Sequence, residues 1–288
     1  MTKLPAKPVA VHLHLYYTDM WSELRAQLQN LGNTPYDLFV TLVADNSKLV
    51  AEIKKFHPQT EIWLVKNMGY DIGPFMVFLN RINLNNYSYI LKLHSKRPSN
   101  GLGIKNNGYP ISRYYWKVLL SEALIGSPEI WQRNLQALSE QPELGMIASP
   151  YLIKKSDKCD EKLTPTVIAN LQQLNLPPLQ KYSFVAGTMF IVRAELFKPL
   201  QHQYTLTDFQ ITDGKISDGT FAHVMERLFG AVIEAQGFAI KGFATNRRFL
   251  CHAVGQNILT FFYQKKITKN NKLLIKICKI PVFQKKLS

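Results

Sequence analysis

Lys92, His94 and Lys96, at alternate positions in "YSYILKLHSKRPS" (87–99) with Arg97 beside them, are the side chains in this sequence most suited to chemistry. Alternate residues of a β-strand share a face, so the three would present a row of cationic or protonatable groups where a core strand stays apolar. Burying unpaired cations is costly. The row is therefore solvated, paired with carboxylates, or built to meet an anion. A solvated strand end leading into a basic loop accounts for the same residues, and only the place of the strand in the fold separates the two readings.

That place follows from the hydrophobic pattern. "PVAVHLHLYY" (8–17) alternates with Val9, Val11, Leu13 and Leu15 on one face, which predicts a strand. "TDMWSELRAQLQNLG" follows, with Thr18 as N-cap, Leu24, Leu28 and Leu31 at helical spacing and Gly32 as a stop. The alternation then repeats: strand "YDLFVTLVADN", helix "SKLVAEIKKFHP", strand "TEIWLVKN", helix "GPFMVFLNRIN", strand "YSYILKLHSK". This predicts an α/β fold, Rossmann-like, with a mainly parallel central sheet flanked by helices. Ligands of such sheets bind beyond the carboxyl ends of the strands. Those ends are His14-Leu15-Tyr16, Ala44-Asp45-Asn46, Lys66-Asn67 with Gly69, and His94-Ser95-Lys96. The cationic row stands among them, which favours the anion reading. Tyr16 either stacks on a planar ligand or packs the rim. His12 and His14 share a face, but a metal site needs a third ligand, so no metal ligands are assigned.

Past residue 100, "SNGLGIKNNGYP" (99–110) reads as a Gly/Asn-rich loop able to close over a ligand. Helices are expected around 112–125 and 128–140, then a strand "LGMIASP", a strand in "YSFVAGTMFIVRAELF" interrupted at Gly187, and a strong helix in "DGTFAHVMERLFGAVIEAQG" (218–237) ending at Gly237.

A hydrophobic content of 46% against 19% charged residues predicts a globular chain. The net charge of +15 suggests a polyanionic partner, yet more than half of it falls in residues 264–288, which hold eight lysines and no acid. Elsewhere no recognised nucleic-acid-binding motif appears, so no nucleic acid is expected. Cys159, Cys251 and Cys278 are widely separated and suggest neither disulfides nor zinc. "MTKLPAKPVAVHLHLYY" lacks the features of a signal peptide, and no apolar run approaches the ~18 residues of a membrane span. A cytoplasmic protein is expected.

Four stretches in order, "NMGYDIGPF", "YILKLHSKRP", "FVAGTMFIVRAELFKPL" and "DGTFAHVMERLFG", resemble the rhamnan synthesis protein F family of bacterial polysaccharide enzymes. The resemblance spans roughly 60 to 237 and implies a GT-A-like glycosyltransferase that moves a sugar, rhamnose or another hexose, from a nucleoside diphosphate to a growing surface polysaccharide. In GT-A enzymes the strand at this point ends in an Asp-x-Asp motif holding a divalent metal on the donor diphosphate. Here "LHSK" replaces it. Lys92, His94 and Lys96 would then neutralise the diphosphate in place of a metal, although Mg²⁺ or Mn²⁺ held by loop carboxylates is an open alternative.

The resemblance carries further roles. Tyr16 would stack on the nucleobase, Asp45 would contact the nucleoside or simply close its strand as an Asx turn, and Asn67 and Asp71 would contact the donor or merely shape a strand-to-helix turn. Inverting transfer needs a carboxylate to take the acceptor proton. Asp218 sits where similar enzymes place that base, with Asp213 in reserve, while N-capping a helix is an equally physical role for Asp218. His223 and Glu226 lie near one another on the helix and serve catalysis or substrate binding, or an ion-pair network with Arg227. Gly187 and Thr188 would leave room for the acceptor sugar.

Lysines 265, 269, 272, 276 and 279 recur at a 4-3-4-3 spacing, which predicts a basic amphipathic helix ended by Pro281. Such a helix suits an anionic membrane surface or a solvated face packed on the body. The expected organisation is a glycosyltransferase domain over 1–250 and a basic appendage over 251–288. The expected partners are a dTDP- or UDP-sugar, a lipid-linked glycan acceptor and the inner face of the plasma membrane. A sugar-phosphate transferase and a non-catalytic carbohydrate-binding or assembly subunit are the alternatives.

Overall fold

In the computed structural model, strand β1 (Val9–His14) is buried along its whole length, and so is β4 (Tyr89–His94). Their polar alternate residues are thus interior. The structure describes residues 7–97, 104–106, 109–111, 113–158, 162–212, 219–243, 262–267, 272–278 and 280–286.

Between and after these strands come α1 (Trp21–Leu28), β2 (Tyr36–Leu42), α2 (Ser47–Phe56), β3 (Glu61–Leu64) and α3 (Ile72–Arg81). The chain continues through β5 (Ile104–Asn106), β6 (Tyr109–Ile111), α4 (Arg113–Ile125), α5 (Pro128–Glu140), β7 (Leu144–Ile147) and β8 (Ile153–Lys155). Next are α6 (Thr164–Gln173), β9 (Ser183–Val185), β10 (Phe190–Arg193), α7 (Phe221–Ala235) and β11 (Ala239–Lys241). A seven-stranded sheet runs β11-β7-β10-β4-β1-β2-β3, parallel except for β10, which is antiparallel to both neighbours. This is a Rossmann-like arrangement: β2 and β3 are laid to one side of β1 and β4 to the other, so the order reverses between β1 and β4.

Helix α3 buries Phe75, Met76, Phe78 and Leu79 against this sheet. Phe75, Phe190, Phe197 and Phe229 form a cluster with ring centroids 5.5–6.0 Å apart. Each fully buried Phe contributes about 1.5–3 kcal/mol of transfer free energy. Arg193, at the end of β10, donates to the carbonyls of Leu138, Gln141 and Leu144 and so ties the last turn of α5 to the sheet.

Contacts divide the chain into two units, residues 1–97 with 118–244, and 98–117 with 245–288. The second contains two departures from expectation. Within 99–110, read above as a loop, β5 and β6 pair as an antiparallel hairpin, in keeping with the Asn107-Gly108 turn signal between them. The basic tail is not a helix. It forms β12 (Tyr263–Ile267), β13 (Lys272–Ile277) and β14 (Ile280–Lys286), an antiparallel meander. The 4-3-4-3 lysine spacing was a coincidence overridden by Ile-rich β-propensity, by Asn270-Asn271 between strands and by Pro281, which sits in an edge strand where a missing N–H is tolerated.

Candidate functional site

The parallel pairing of β1 and β4 sets His12 opposite Lys92 and His14 opposite His94. All four are buried. The Thr41 hydroxyl of β2 lies between His12 Nε2 (3.1 Å) and His14 Nδ1 (3.0 Å), and the His12 ring stacks on Phe78. Lys92 is wholly enclosed. Its ammonium spends three protons inside the protein, on the Asp71 carboxylate, the Thr188 carbonyl (3.0 Å) and the Thr188 hydroxyl (2.9 Å), with the Phe75 and Phe190 rings over it. The expectation that Lys92 faces a ligand anion is therefore replaced by a buried ion pair. A cation that cannot be solvated takes a carboxylate partner, here Asp71.

Asp71, at the start of α3, accepts from both Lys92 and the Thr188 hydroxyl through Oδ2. Burial alone would raise its pKa, but the charges of His94 and Lys92 and these two hydrogen bonds hold it well below the usual carboxylate range. Its Oδ1 has no protein partner among the described residues, and the side chain is 18% exposed. Burial lowers His12, His94 and Lys92, and pushes His14 down to about 3. His94 Nε2 donates to the Gly187 carbonyl at 2.9 Å, and its Nδ1 lies 3.2 Å from the Ser95 carbonyl. Two acceptors thus face the imidazole, an arrangement fully satisfied only when the ring carries both protons.

Two turns close around this seam. In the first, Gly69 (φ +68) and Tyr70 (φ +55) are left-handed in succession. A Cβ on Gly69 would sit 2.5 Å from the Phe209 ring, so only glycine lets the 67–69 segment lie against 209–212. There Asn67 is clamped to Thr212: its amide donates to the Thr212 carbonyl (2.9 Å) and its Oδ1 accepts from the Thr212 hydroxyl (2.8 Å). In the second, Thr188 N–H closes on the Val185 carbonyl at 3.1 Å with Gly187 (φ +83) in the third position. Thr188 itself has φ +50, a sparsely populated conformation for a β-branched residue, held by its bonds to Lys92 and Asp71. Glu226 of α7 accepts the Gly187 N–H (2.7 Å) through Oε1 and pairs with Arg227 (2.5 Å) through Oε2, while burial raises its pKa. Oε1 thus holds the turn while Oε2 is taken up by the Arg227 guanidinium.

Above the seam lies a cleft of about 210 Å³ lined by His14, Tyr16, Tyr17, Asn67, Tyr70, Asp71, His94, Ser95, Lys96 and Thr212. It opens beyond the carboxyl ends of β1 and β4, where the strand order reverses. The structure so brings together Tyr16, Asn67, Asp71, His94 and Lys96, with Gly187, Thr188 and Glu226 immediately behind. The exposed Lys96 has no hydrogen-bonding or ion-pair partner among the described residues, whereas Arg97 is held by Asp19 at 2.8 Å and by the Tyr17 ring. Asp45 is exposed beyond β2 and is not a lining residue, and its neighbour Asn46 caps α2. His223 bonds the Thr220 hydroxyl (2.8 Å) at the N-terminus of α7. Asp213 and Asp218 lie outside the described residues.

A family model described as rhamnan synthesis protein F matches residues 1–238. The chain belongs to the rhamnan synthesis protein F family. Relatives include the uncharacterized protein WxcX in two strains of Xanthomonas campestris pv. campestris, each 26% identical over 244 residues. That alignment takes in 83% of this chain and 33% of the relative, so the chain spans about a third of the length of the curated relatives it matches. Membership in the rhamnan synthesis protein F family points to a role in bacterial polysaccharide synthesis.

His14, Tyr17, Tyr70, Ser95 and Thr212 are the lining residues to which the sequence reading gave no role in the site. For His14 and Ser95 the signal was present, because each belongs to a strand end already marked as a ligand edge, and Tyr17 directly follows one. Thr212 carried no local signal; it enters through pairing with Asn67, 145 positions away. Among the described residues no three His, Cys, Asp or Glu are grouped to hold a metal ion.

Proposed function

We propose that this rhamnan synthesis protein F domain is an inverting GT-A-like glycosyltransferase using a nucleoside-diphosphate sugar. The observation that carries the reading is the cleft at the reversal of strand order between β1 and β4, the place where open α/β sheets take nucleotides. Its chemistry suits such a donor. Lys96, without a partner among the described residues, offers its ammonium to the diphosphate. An anion beside His94 favours the doubly protonated ring, which the Gly187 and Ser95 carbonyls already solvate. Asp71, locked in its ionised form, keeps Oδ1 for a sugar or ribose hydroxyl, and Tyr16, 43% exposed at the rim, gives a face for a base.

In the transfer, a carboxylate removes the proton from the acceptor hydroxyl. The oxygen forms a bond to the anomeric carbon as the bond from that carbon to the diphosphate oxygen breaks, and the nucleoside diphosphate leaves with the electron pair. Asp218 is the base on this reading, with Asp213 in reserve. Thr212, one residue before Asp213, lines the cleft, and Thr220, two after Asp218, opens α7. Glu226 serves as a positioning residue. The described part of the cleft offers one carboxylate, already engaged by Lys92 and Thr188, so a divalent ion would draw its ligands from Asp213 and Asp218. The family description suggests rhamnose as the sugar, which on this reading comes from dTDP-rhamnose and goes to a lipid-linked glycan, with UDP-hexoses and galactofuranose donors as competitors.

The test is a binding and donor-hydrolysis panel of dTDP- and UDP-sugars with and without EDTA, on wild type, Lys96→Ala and Asp218→Asn. One donor binding in EDTA, weakened about tenfold or more by Lys96→Ala, with turnover abolished by Asp218→Asn, is the expected result. Binding that needs Mg²⁺ or Mn²⁺ and survives Lys96→Ala overturns the cationic account. No binding of any donor overturns the transferase reading.

A further inference from the structure

We propose that the C-terminal β-meander docks the protein, by one apolar face, on an anionic lipid bilayer. Residues directly opposite in an antiparallel sheet share a face. Tyr263 pairs with Ile277, Ile277 with Ile280, and Ile275 with Phe283. Leu273 stands two residues before Ile275 and pairs with Lys285. Tyr263, Leu273, Ile275, Ile277, Ile280 and Phe283 therefore share one largely apolar side, which also carries Lys265 at the register position opposite Ile275 and Lys285 at its end. Lys272, Leu274 and Lys276 take the other side.

A register shift at Ile275/Lys276 makes this possible. Ile280 and Phe283 are three residues apart and would fall on opposite faces of a regular strand. The bulge supplies one extra residue, Val282, between the pairs Lys276–Pro281 and Ile275–Phe283, and brings both onto the same face. The surface is open: Ile280 is 64% exposed, Tyr263 53%, Ile277 49% and Phe283 46%. A soluble protein seldom leaves such a patch without a partner.

Charge selects the partner. Residues 264–288 carry eight lysines and no acid. A second copy would bring the same charge and be repelled, and a nucleic acid would leave the aliphatic side chains without a role. An anionic bilayer accounts for both features: aliphatic and aromatic side chains enter the interface, Lys285 reaches the headgroups with its stem against apolar surface, and lysines on the far side stay within about a Debye length of them. No helix among the described residues is long and apolar enough to cross a membrane, so this contact would be peripheral. The inference does not depend on which donor the cleft takes.

The full chain is mixed with vesicles of phosphatidylcholine alone or with about one third phosphatidylglycerol, and sedimented. Binding to the anionic vesicles only, weakened by salt and reduced about tenfold or more in Ile280→Ser/Phe283→Ser, is expected. In Phe283→Trp, which keeps the face apolar, tryptophan emission should shift to the blue on adding anionic vesicles and stay put with neutral ones. No sedimentation with anionic vesicles, or no emission shift in Phe283→Trp, overturns the proposal. So does a wild-type dimer that Ile280→Ser/Phe283→Ser turns into monomer without any vesicle binding, and so does retention of RNA in place of vesicles.

Discussion

Lys92 and the lysines of the meander use the same side chain to opposite ends. Lys92 is sealed among phenylalanines, with its three protons assigned and Asp71 as its ion-pair partner. The meander holds many lysines and no acid. In the first region the charge fixes geometry, since it pins Asp71, Thr188 and through them a strained turn. In the second it sets only how the surface is attracted to other charges. Desolvation makes the difference: a buried charge must be matched atom by atom, while a solvated one costs nothing to leave unpaired.

Breaking the sealed pair should have the largest effect. Lys92→Met strands Asp71 and should cost about 3–5 kcal/mol in urea unfolding, whereas Lys92→Met/Asp71→Leu should recover much of that loss because no unpaired charge is left. If the single variant costs under about 1 kcal/mol, Lys92 is not the matched cation described here. Gly187→Ala places a Cβ 2.6 Å from Leu120 Cδ2 at a positive φ and should cost about 1–3 kcal/mol, with donor affinity falling as the turn behind His94 shifts.

Acid should expose the same seam. His12, His14 and His94 have pKa values lowered by burial, so below the ordinary value near 6.5 the unfolded chain binds protons that the folded one refuses. Stability should fall as pH drops through about 6.5, and His14→Asn should flatten that dependence by one proton, about 1.4 kcal/mol per pH unit, down to roughly pH 3. Glu226, raised by burial, acts with the opposite sign: its contribution is lost as pH rises above the ordinary glutamate value near 4.5. Neutralising the meander should matter least to folding. Lys272→Gln/Lys276→Gln should shift the melting free energy by no more than about 0.5 kcal/mol while weakening adhesion to anionic vesicles. A loss of stability comparable to that of Lys92→Met would erase the contrast between the two regions.

Much of the central sheet was legible because each strand and helix carries its own period, and the shared face of Lys92 and His94 follows from alternation alone. What covers that face was not. Asp71 lies 21 residues from Lys92 and Thr188 lies 96 away, and no local pattern says that β10 slots beside β4 with its phenylalanine over the ammonium. Lys92 thus read as a ligand contact when it is an internal counter-ion. Glu226 read either as a catalytic or binding group or as part of an ion pair with Arg227; the pair is present, while its bond to the Gly187 N–H, 39 positions away, is equally silent in sequence. In the tail the error had another origin: both periods were present, and turn chemistry decided for the strand.

Val282 gives the meander a sensitivity to counting. With it, Ile280 and Phe283 fall on the same side; delete it and one of the two crosses to the side of Lys272 and Lys276, although no side chain at the surface has changed its nature. Substitutions at that position should be broadly tolerated and single-residue insertions or deletions should not, so the parity of the strand, more than the identity of its residue, is what inheritance would have to preserve.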